Sequence, residues 1–320
     1  MRTEFVTEPG VTYLTEGGQE TEVMYACGFD LPEFSLYPLL DDPEAVSAMA
    51  GLYDRYLAVA ARHGLGALMG GLDYRASPGW AARLGLSPAQ LADAQARCID
   101  FLRDAAAPYE TDLPDIRIAG CVGPRGDAYE ADDTITADEA EEYHGAQIAT
   151  LAACGVDLVE AMTFNNVPEA VGVARAAAAE GLPASISFTL DSSSRLSTGP
   201  TLADAVAEVD AEAGEDRPSF YGINCSHPFE FGPAIDGGDW FDRVRILRPN
   251  AALADKASLC TLGHLEAGDP VQLGELMGEL AGQHPHVDIW GGCCGTWDTH
   301  LDQIAAQVGD VRRRERTLSP

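Results

Sequence analysis

The chain contains almost no lysine: Lys256 is the single example among its 320 residues. Lysine and arginine together number 20 against 51 aspartates and glutamates, which gives a formal net charge of −31. A surface of this sign repels the phosphates of nucleic acids and of anionic membranes, which argues against both as partners. Concentrated salt screens the self-repulsion of such a surface, so we interpret the acidic excess as typical of a halophilic source.

Long apolar runs are also lacking. No stretch approaches the roughly 20 apolar residues that a helix needs to cross a bilayer, and residues 1–10 are too polar and acidic to predict a signal peptide. We therefore expect a cytoplasmic protein whose eight cysteines are thiols or metal ligands rather than disulfides. The composition predicts one packed domain over residues 1–320, with a basic tail at about 311–320 that is disordered or contacts a neighbouring molecule. The oligomeric state stays open.

Two segments of the sequence end a strand-like run with cysteine. Trp290–Thr296 carries Cys293 and Cys294 between glycine pairs, and Tyr221–Ser226 carries Cys225. Three thiolates at two strand ends can hold one zinc ion and leave its fourth position open. Adjacent cysteines are nevertheless unusual metal ligands, since the common spacing is C-x-x-C. The alternative interpretation is that these cysteines are small buried residues in glycine-rich turns.

The rest of the chain alternates predicted strands with predicted helices. Helix starts are indicated by Asp42-Pro43, by Ser87-Pro88 and by the capping box that opens at Thr136. About eight such units follow one another without a linker, which predicts a parallel sheet with helices outside it. Eight units favour a closed (β/α)8 barrel, and the lack of G-x-G-x-x-G after the first strand disfavours an open nucleotide-binding sheet.

In such a barrel, reactive side chains gather at the C-terminal ends of the strands. The residues that fall at these ends are Glu16, Tyr74, Glu160, Asn224, Cys225, Cys293 and Cys294. Because strand ends of one barrel face the same mouth, this placement favours the zinc interpretation of the cysteines.

These residues together resemble the homocysteine S-methyltransferase family over nearly the whole chain. The most specific shared segments are Gly222–Cys225 and Gly291–Thr296. Supporting segments are Glu16–Gly18 with Thr21-Glu22, Tyr74–Ser77, and Val159-Glu160 through Glu169-Ala170. The resemblance implies a (β/α)8 barrel that binds Zn2+ through Cys225, Cys293 and Cys294. It implies transfer of a methyl group from a small onium donor, of S-methylmethionine or betaine type, to homocysteine, which gives methionine.

The resemblance also implies a set of substrate contacts. The residues concerned are Glu16, Gly17, Gly18, Tyr74, Glu160 and Asn224. We expect Glu16 and Glu160 to bind the amino group of the acceptor. We expect aromatic faces to hold the onium donor, with Tyr74 as the first candidate and Trp80 and Phe29 as others. His227 follows Cys225 by two residues, but three cysteines suffice as protein ligands without it.

Several positions depart from the family pattern. Glu16 replaces the usual aspartate, Ala161 replaces a threonine, and Arg248-Pro249-Asn250, leading to Asp255-Lys256, replaces a Tyr-Pro-Asn segment. The departures leave the proposed zinc ligands intact and fall on substrate recognition. They motivate a second hypothesis, the same chemistry on another small thiol or selenol such as selenocysteine. A third hypothesis is a non-catalytic barrel that stores or senses zinc, or senses redox state through Cys293 and Cys294.

Overall fold

A computed structural model describes residues 3–130, 134–253 and 264–318. Its parallel strands pair in sequence order and close into a barrel, because β1 pairs with both β2 and β8. The strands are β1 (Tyr13–Leu14), β2 (Gly66–Met69), β3 (Ile116–Val122), β4 (Leu158–Phe164), β5 (Ala184–Phe188), β6 (Phe220–Asn224), β7 (Val244–Arg248) and β8 (Ile289–Trp290). The predicted (β/α)8 barrel is confirmed.

Helices follow the strands around the outside of the barrel. In the described ranges they are α1 (Gln19–Tyr25), α2 (Pro43–His63), α3 (Pro78–Arg83), α4 (Pro88–Ala106), α5 (Ala137–Cys154), α6 (Val167–Ala179), α7 (Leu202–Ala213), α8 (Pro228–Phe231), α9 (Pro270–Gln283) and α10 (Asp298–Leu318). The predicted helix starts are confirmed: Asp42 caps α2, and capping boxes open α4 and α5. Helices α1, α3 and α8 were not predicted, since four to seven residues are too few to show helical periodicity. Among the described residues, no helix combines the length and the apolar content needed to span a lipid bilayer.

The basic segment near the C-terminus is helical through Leu318 rather than disordered. Arg312 holds α10 against the barrel, because its Nη2 donates a 2.7 Å hydrogen bond to the carbonyl oxygen of Val287. Its Nη1 also pairs with Glu315 at 2.9 Å. The Asp255-Lys256 segment noted above lies outside the described residues.

The inside of the barrel is layered because alternate residues of a strand point inward. Leu158 on β4 and Ile246 on β7 belong to an apolar cluster in the barrel centre. Two residues further along the same strands, Glu160 and Arg248 form a buried ion pair. Two residues beyond Glu160, Met162 lines a cavity. The barrel interior thus passes from apolar to charged to open toward the C-terminal ends of the strands.

Candidate metal centre

The three predicted cysteine ligands meet at the C-terminal ends of β6 and β8. The sulfur atoms of Cys225, Cys293 and Cys294 all lie within 4.8 Å of one another, and those of Cys225 and Cys294 are 3.6 Å apart. Thiolates about 2.3 Å from a tetrahedral zinc ion lie about 3.8 Å from each other. The cluster therefore has the dimensions and the donor atoms of a three-thiolate zinc site.

In the structure, a disulfide joins Cys225 to Cys293, whose Cα atoms are 5.3 Å apart. This pair is therefore not present as free thiols in the structure, and the bond does not join the two adjacent cysteines considered as a redox pair. Zinc binds thiolates, and a disulfide sulfur carries no thiolate charge, so the disulfide and the zinc site are alternative states of the same sulfurs. The donor set fits Zn2+ in the reduced protein.

Glycine allows the loop after β1 to approach the cysteine loop closely. A Cβ atom on Gly18 would lie 2.5 Å from the carbonyl oxygen of Cys293 and 2.9 Å from the Cα atom of Cys294. The Gly18 amide donates a 2.8 Å hydrogen bond to the carbonyl oxygen of Thr296. Gly17 packs on the same loop. The two predicted glycines therefore support the cysteine loop, while the residues that line the cavity do not include them.

Asn224 and the backbone of Cys225 aim the Cys225 thiol. Cys225 has a φ of +54°, in the left-handed region that few residues other than glycine adopt, and such strain is concentrated at functional sites. The Asn224 side chain accepts a 2.8 Å hydrogen bond from the amide of Thr163 on β4. Its Nδ2 atom lies 3.8 Å from the Cys293 sulfur. Asn224 thus connects the ends of three strands at the sulfur cluster.

A tyrosine that was not among the predicted site residues also reaches the cluster. The Tyr129 hydroxyl donates a 3.3 Å hydrogen bond to the Cys225 sulfur from the loop after β3. A hydrogen bond of this kind stabilises a thiolate relative to a thiol. Tyr129 lies 96 residues from Cys225 in the sequence, so no local pattern indicated it.

The sulfur cluster opens into a cavity of about 300 Å³. Of the predicted site residues, its lining includes Tyr74, Asn224, Cys225, Cys293 and Cys294. The walls add aromatic and thioether side chains from Met24, Tyr25, Phe34, Tyr129 and Met162. Charged side chains also line it: Glu20, Arg75, Asp127 and Glu266. A cavity with apolar walls, a few charges and three sulfurs at its base can hold a small polar substrate beside a metal ion.

Glu16 and Glu160 lie apart from this cavity, in the charged layer of the barrel. Both are almost completely buried, and Arg248 reaches both, with Nη2 2.7 Å from Glu16 Oε1 and Nη1 3.1 Å from Glu160 Oε1. Glu16 also accepts a 3.2 Å hydrogen bond from the amide of Gly70. The prediction that these two carboxylates bind a substrate amino group stays a prediction, and in the structure Arg248 occupies them.

The charged layer shifts the acid–base equilibria of its members. Burial raises the pKa of Glu160, and the charge of Arg248 acts in the opposite direction. Burial disfavours the charge of Arg248, but Glu16 and Glu160 outweigh that effect and raise its pKa. A permanently charged guanidinium between two carboxylates is the stable arrangement at neutral pH. Arg248 belongs to the segment that departs from the family pattern in the sequence, and this departure was the signal that could have indicated its role.

Of the three aromatic residues predicted to hold an onium group, the cavity lining includes only Tyr74. Its hydroxyl bonds to that of Thr163, and burial raises its pKa. Trp80 lies outside the lining, stacked between Arg75 at 3.9 Å and Arg83 at 4.3 Å from its ring centroid. Phe29 packs on the hydrophobic core. The signal for Tyr74 was its place in a motif, whereas Trp80 and Phe29 were chosen by residue type alone.

His227 serves as a helix cap. Its Nδ1 atom accepts a 3.3 Å hydrogen bond from the amide of Phe229 at the start of α8. Burial lowers the pKa of His227 to about 4, so the ring is neutral at physiological pH. Among the described residues, the cluster that could hold a metal ion contains three cysteines and no histidine.

Comparison with known proteins places these features in context. A family model described as Homocysteine S-methyltransferase matches residues 13–308. The Homocysteine S-methyltransferase of Escherichia coli (strain K12) is 30% identical over 162 residues, which are 48% of this chain and 51% of that protein. The Methionine synthase of Mycobacterium tuberculosis (strain ATCC 25618 / H37Rv) is 33% identical over 100 residues, which are 31% of this chain and 8% of that protein. The first match spans about half the length of its relative and the second a small part.

Solved structures resemble the fold over almost its whole length. The homocysteine methyltransferase MmuM from Escherichia coli, in its metallated form, aligns with a TM-score of 0.73 at 24% identity, covering 94% of this chain and 97% of that one. Its apo form aligns with a TM-score of 0.67 at 23% identity, with the same coverage. At this level of identity, the likeness supports the barrel fold.

Proposed function

The chain belongs to the homocysteine S-methyltransferase family, and from that membership and the sulfur cluster we propose that it binds Zn2+ through Cys225, Cys293 and Cys294 and methylates homocysteine. The methyl donor is a small onium compound of S-methylmethionine or betaine type, and the product is methionine. The observation that carries the proposal is the meeting of three cysteine sulfurs at the base of a cavity large enough for small substrates.

The acceptor requires activation because a free thiol has a pKa of about 8.5 and is mostly protonated at neutral pH. Cys225, Cys293 and Cys294 would hold the zinc ion, which would supply an open position at which a substrate thiol would lose its proton. The negative charge of Cys225, Cys293 and Cys294 keeps electron density on that sulfur. Asn224 and Tyr129, which contact these cysteine sulfurs, keep them in place.

The methyl transfer balances without a further reactant. The proton of the substrate thiol goes to water, and a sulfur lone pair forms the new bond to the methyl carbon. The bond between that carbon and the cationic sulfur or nitrogen of the donor breaks, and its electron pair stays on that sulfur or nitrogen, which becomes uncharged. Because the donor is cationic only before transfer, the aromatic walls of the cavity, with Tyr74, Tyr25 and Phe34, favour the donor over its product.

We also propose a cytoplasmic setting. The zinc site needs Cys225 and Cys293 as thiolates, and the cytoplasm keeps thiols reduced. Small-molecule substrates are the expected partners, and neither nucleic acid nor a membrane is required.

The test is zinc content and methyl transfer in protein purified under reducing conditions. We expect about one zinc ion per chain and methionine formation from homocysteine with S-methylmethionine or betaine. Cys225→Ser should lose both together, because two thiolates remain. Cys27→Ser is the matched control, since Cys27 is exposed and does not line the cavity. Turnover by metal-free protein would refute the zinc mechanism.

A second candidate keeps the chemistry and changes the acceptor to another small thiol or selenol. It is favoured by the ion pairs of Arg248 with Glu16 and Glu160, which occupy the carboxylates that the family resemblance assigned to an amino group. Measuring kcat/KM for homocysteine, cysteine, selenocysteine and thiols without an amino group would separate the candidates. A strong preference for homocysteine would remove the second.

A further inference from the structure

Two opposite charges line the cavity without pairing with each other. Glu20 stands on α1, after β1, and Arg75 stands in the loop after β2. In the part of the chain that the structure describes, neither side chain forms an ion pair within 4.0 Å. Of the other charged residues in the lining, Asp127 accepts a 2.8 Å hydrogen bond from the amide of Tyr129, and Glu266 pairs with His264 at 2.9 Å. A cavity that also presents Glu20 and Arg75, neither paired with the other, is complementary to a molecule that carries both charges.

The guanidinium of Arg75 is held rigidly by its own surroundings. It lies 3.9 Å from the ring centroid of Trp80 and 5.3 Å from that of Tyr74. Its Nη1 donates a 2.9 Å hydrogen bond to the carbonyl oxygen of Gly126. Its Nε atom is buried and has no hydrogen-bond partner. A buried donor without a partner is costly, and a carboxylate from a ligand would satisfy it in the fork geometry that guanidinium groups offer.

The carboxylate of Glu20 is similarly uncommitted. Among the described residues, no other side chain forms a hydrogen bond or ion pair with it, and burial raises its pKa to about 7. The charges of Arg248 and Arg75 lower that pKa, which places both guanidinium groups within electrostatic reach. An ammonium group in the cavity would compensate the desolvated carboxylate.

The carboxylates below the cavity cannot replace Glu20 in this role. Arg248 already binds Glu16 and Glu160, and neither lines the cavity. Glu20 and Arg75 border the same cavity as the three cysteine sulfurs. A ligand held by both would therefore share the cavity with the sulfur cluster.

We propose that Glu20 binds the α-ammonium group and Arg75 the α-carboxylate of an amino-acid substrate whose sulfur reaches the cysteine cluster. This assignment of Glu20 and Arg75 rests on the proposed function, and it makes the two residues the determinants of substrate specificity. The zwitterion belongs either to the acceptor, homocysteine, or to a donor such as S-methylmethionine. Both carry the same two groups, and separate assays distinguish them.

The acceptor assay compares homocysteine with two analogues that each lack one charge. One is 4-mercaptobutanoate, without the amino group, and the other is 3-aminopropane-1-thiol, without the carboxylate. In Glu20→Gln, the kcat/KM preference for homocysteine over 4-mercaptobutanoate should fall roughly 10- to 100-fold, the loss expected for a hydrogen bond to a charged group. In Arg75→Gln, the preference over 3-aminopropane-1-thiol should fall by a similar factor.

The donor assay uses the same variants with S-methylmethionine and with 4-dimethylsulfoniobutanoate, which lacks the amino group. Loss of donor discrimination in Glu20→Gln, with acceptor discrimination retained, would assign the pair to the donor. The matched controls are Glu44→Gln, an exposed carboxylate in the first turn of α2, and Arg83→Gln, which stacks on Trp80 without lining the cavity. Both controls should keep the wild-type preferences.

Binding of methionine by calorimetry separates this assignment from the methyltransferase proposal. Methionine carries the zwitterion but no thiol, so its affinity should exceed that of 4-methylthiobutanoate in wild type and not in Glu20→Gln. If no thiol is methylated but this binding pattern holds, the methyltransferase proposal fails and the assignment stands. Variants that retain wild-type discrimination within twofold in both kinetic assays and in calorimetry would overturn the assignment.

Discussion

Removal of the Arg248 guanidinium should destabilise the barrel through the two carboxylates that it leaves behind. Arg248→Met keeps an apolar chain of similar length but leaves Glu16 and Glu160 buried in the barrel interior without their common cation. Unit charges about 4 Å apart interact by about 4 kcal/mol at an effective dielectric constant of about 20. Two such attractions are lost, but the variant no longer desolvates a guanidinium, and one glutamate can bind a proton. The net loss in free energy of unfolding should be about 3–5 kcal/mol, as for other broken buried pairs.

The loss should depend on pH in a direction that follows from the Glu160 carboxyl. Burial already raises its pKa from 4.5 in the wild type, and Arg248 is the first counteracting cause, so the variant raises that pKa further. A carboxyl whose pKa is higher in the folded state contributes stability below its unfolded pKa and loses it as the pH rises through its folded pKa. The destabilisation should therefore be larger at pH 8 than at pH 5.

Urea unfolding at pH 8 and pH 5 measures both effects. Arg245→Met is the matched control, because Arg245 lies on the same strand, is partly exposed and pairs with Asp288 at 2.5 Å. This substitution should lower the free energy of unfolding by at most about 1 kcal/mol. Adding Glu160→Gln to Arg248→Met removes one uncompensated charge and should recover about 1–3 kcal/mol. A loss below about 1 kcal/mol in Arg248→Met, equal at both pH values, would refute the reasoning.

Three further predictions concern the sulfur cluster. Gly18→Ala should weaken zinc binding more than tenfold in an equilibrium competition with a chelator, because its new Cβ would lie 2.5 Å from the carbonyl oxygen of Cys293. The control Gly51→Ala, which has open space around it on α2, should leave zinc binding unchanged. Zinc uptake should require reduction of the bond between Cys225 and Cys293, so elemental analysis of oxidised protein should find no bound zinc. Equal zinc uptake with and without reductant would contradict the proposed ligand set. Tyr129→Phe should slow alkylation of Cys225 at neutral pH by roughly three- to tenfold, because the hydroxyl that stabilises the thiolate is lost. Mass spectrometry of reduced, metal-free protein measures the alkylation rate. An unchanged rate would show that the 3.3 Å contact has no such effect.

Much of the architecture could be predicted from local patterns. Helix starts at Asp42, Ser87 and Thr136 depend on side chains within three residues of the cap, so the sequence contains all the partners. The count of strand-then-helix units then indicates a closed barrel. Closure itself brings the ends of β6 and β8 to one mouth, which is why Cys225 and Cys293 could be placed together although 68 residues separate them.

Contacts across the barrel could not be predicted in this way. Which inward-facing side chains meet depends on the stagger of the strands and on the reach of each rotamer, and neither has a local signal. Arg248 on β7 therefore pairs with Glu160 on β4 and with Glu16 after β1, although each glutamate taken alone suggested a substrate ligand. Short helices have the same limitation, and α1 carries Glu20 to the cavity wall.

The sequence by itself determined the fold class and the meeting of the three cysteines, because these follow from periodicity, from caps and from the rule that parallel strands of a barrel end at one face. Only the tertiary structure decided which charged side chains form ion pairs with each other and which remain available to a ligand. The physical reason is that a buried carboxylate is stabilised by whichever cation lies within a few ångströms, and that distance is set by packing among elements far apart in the chain.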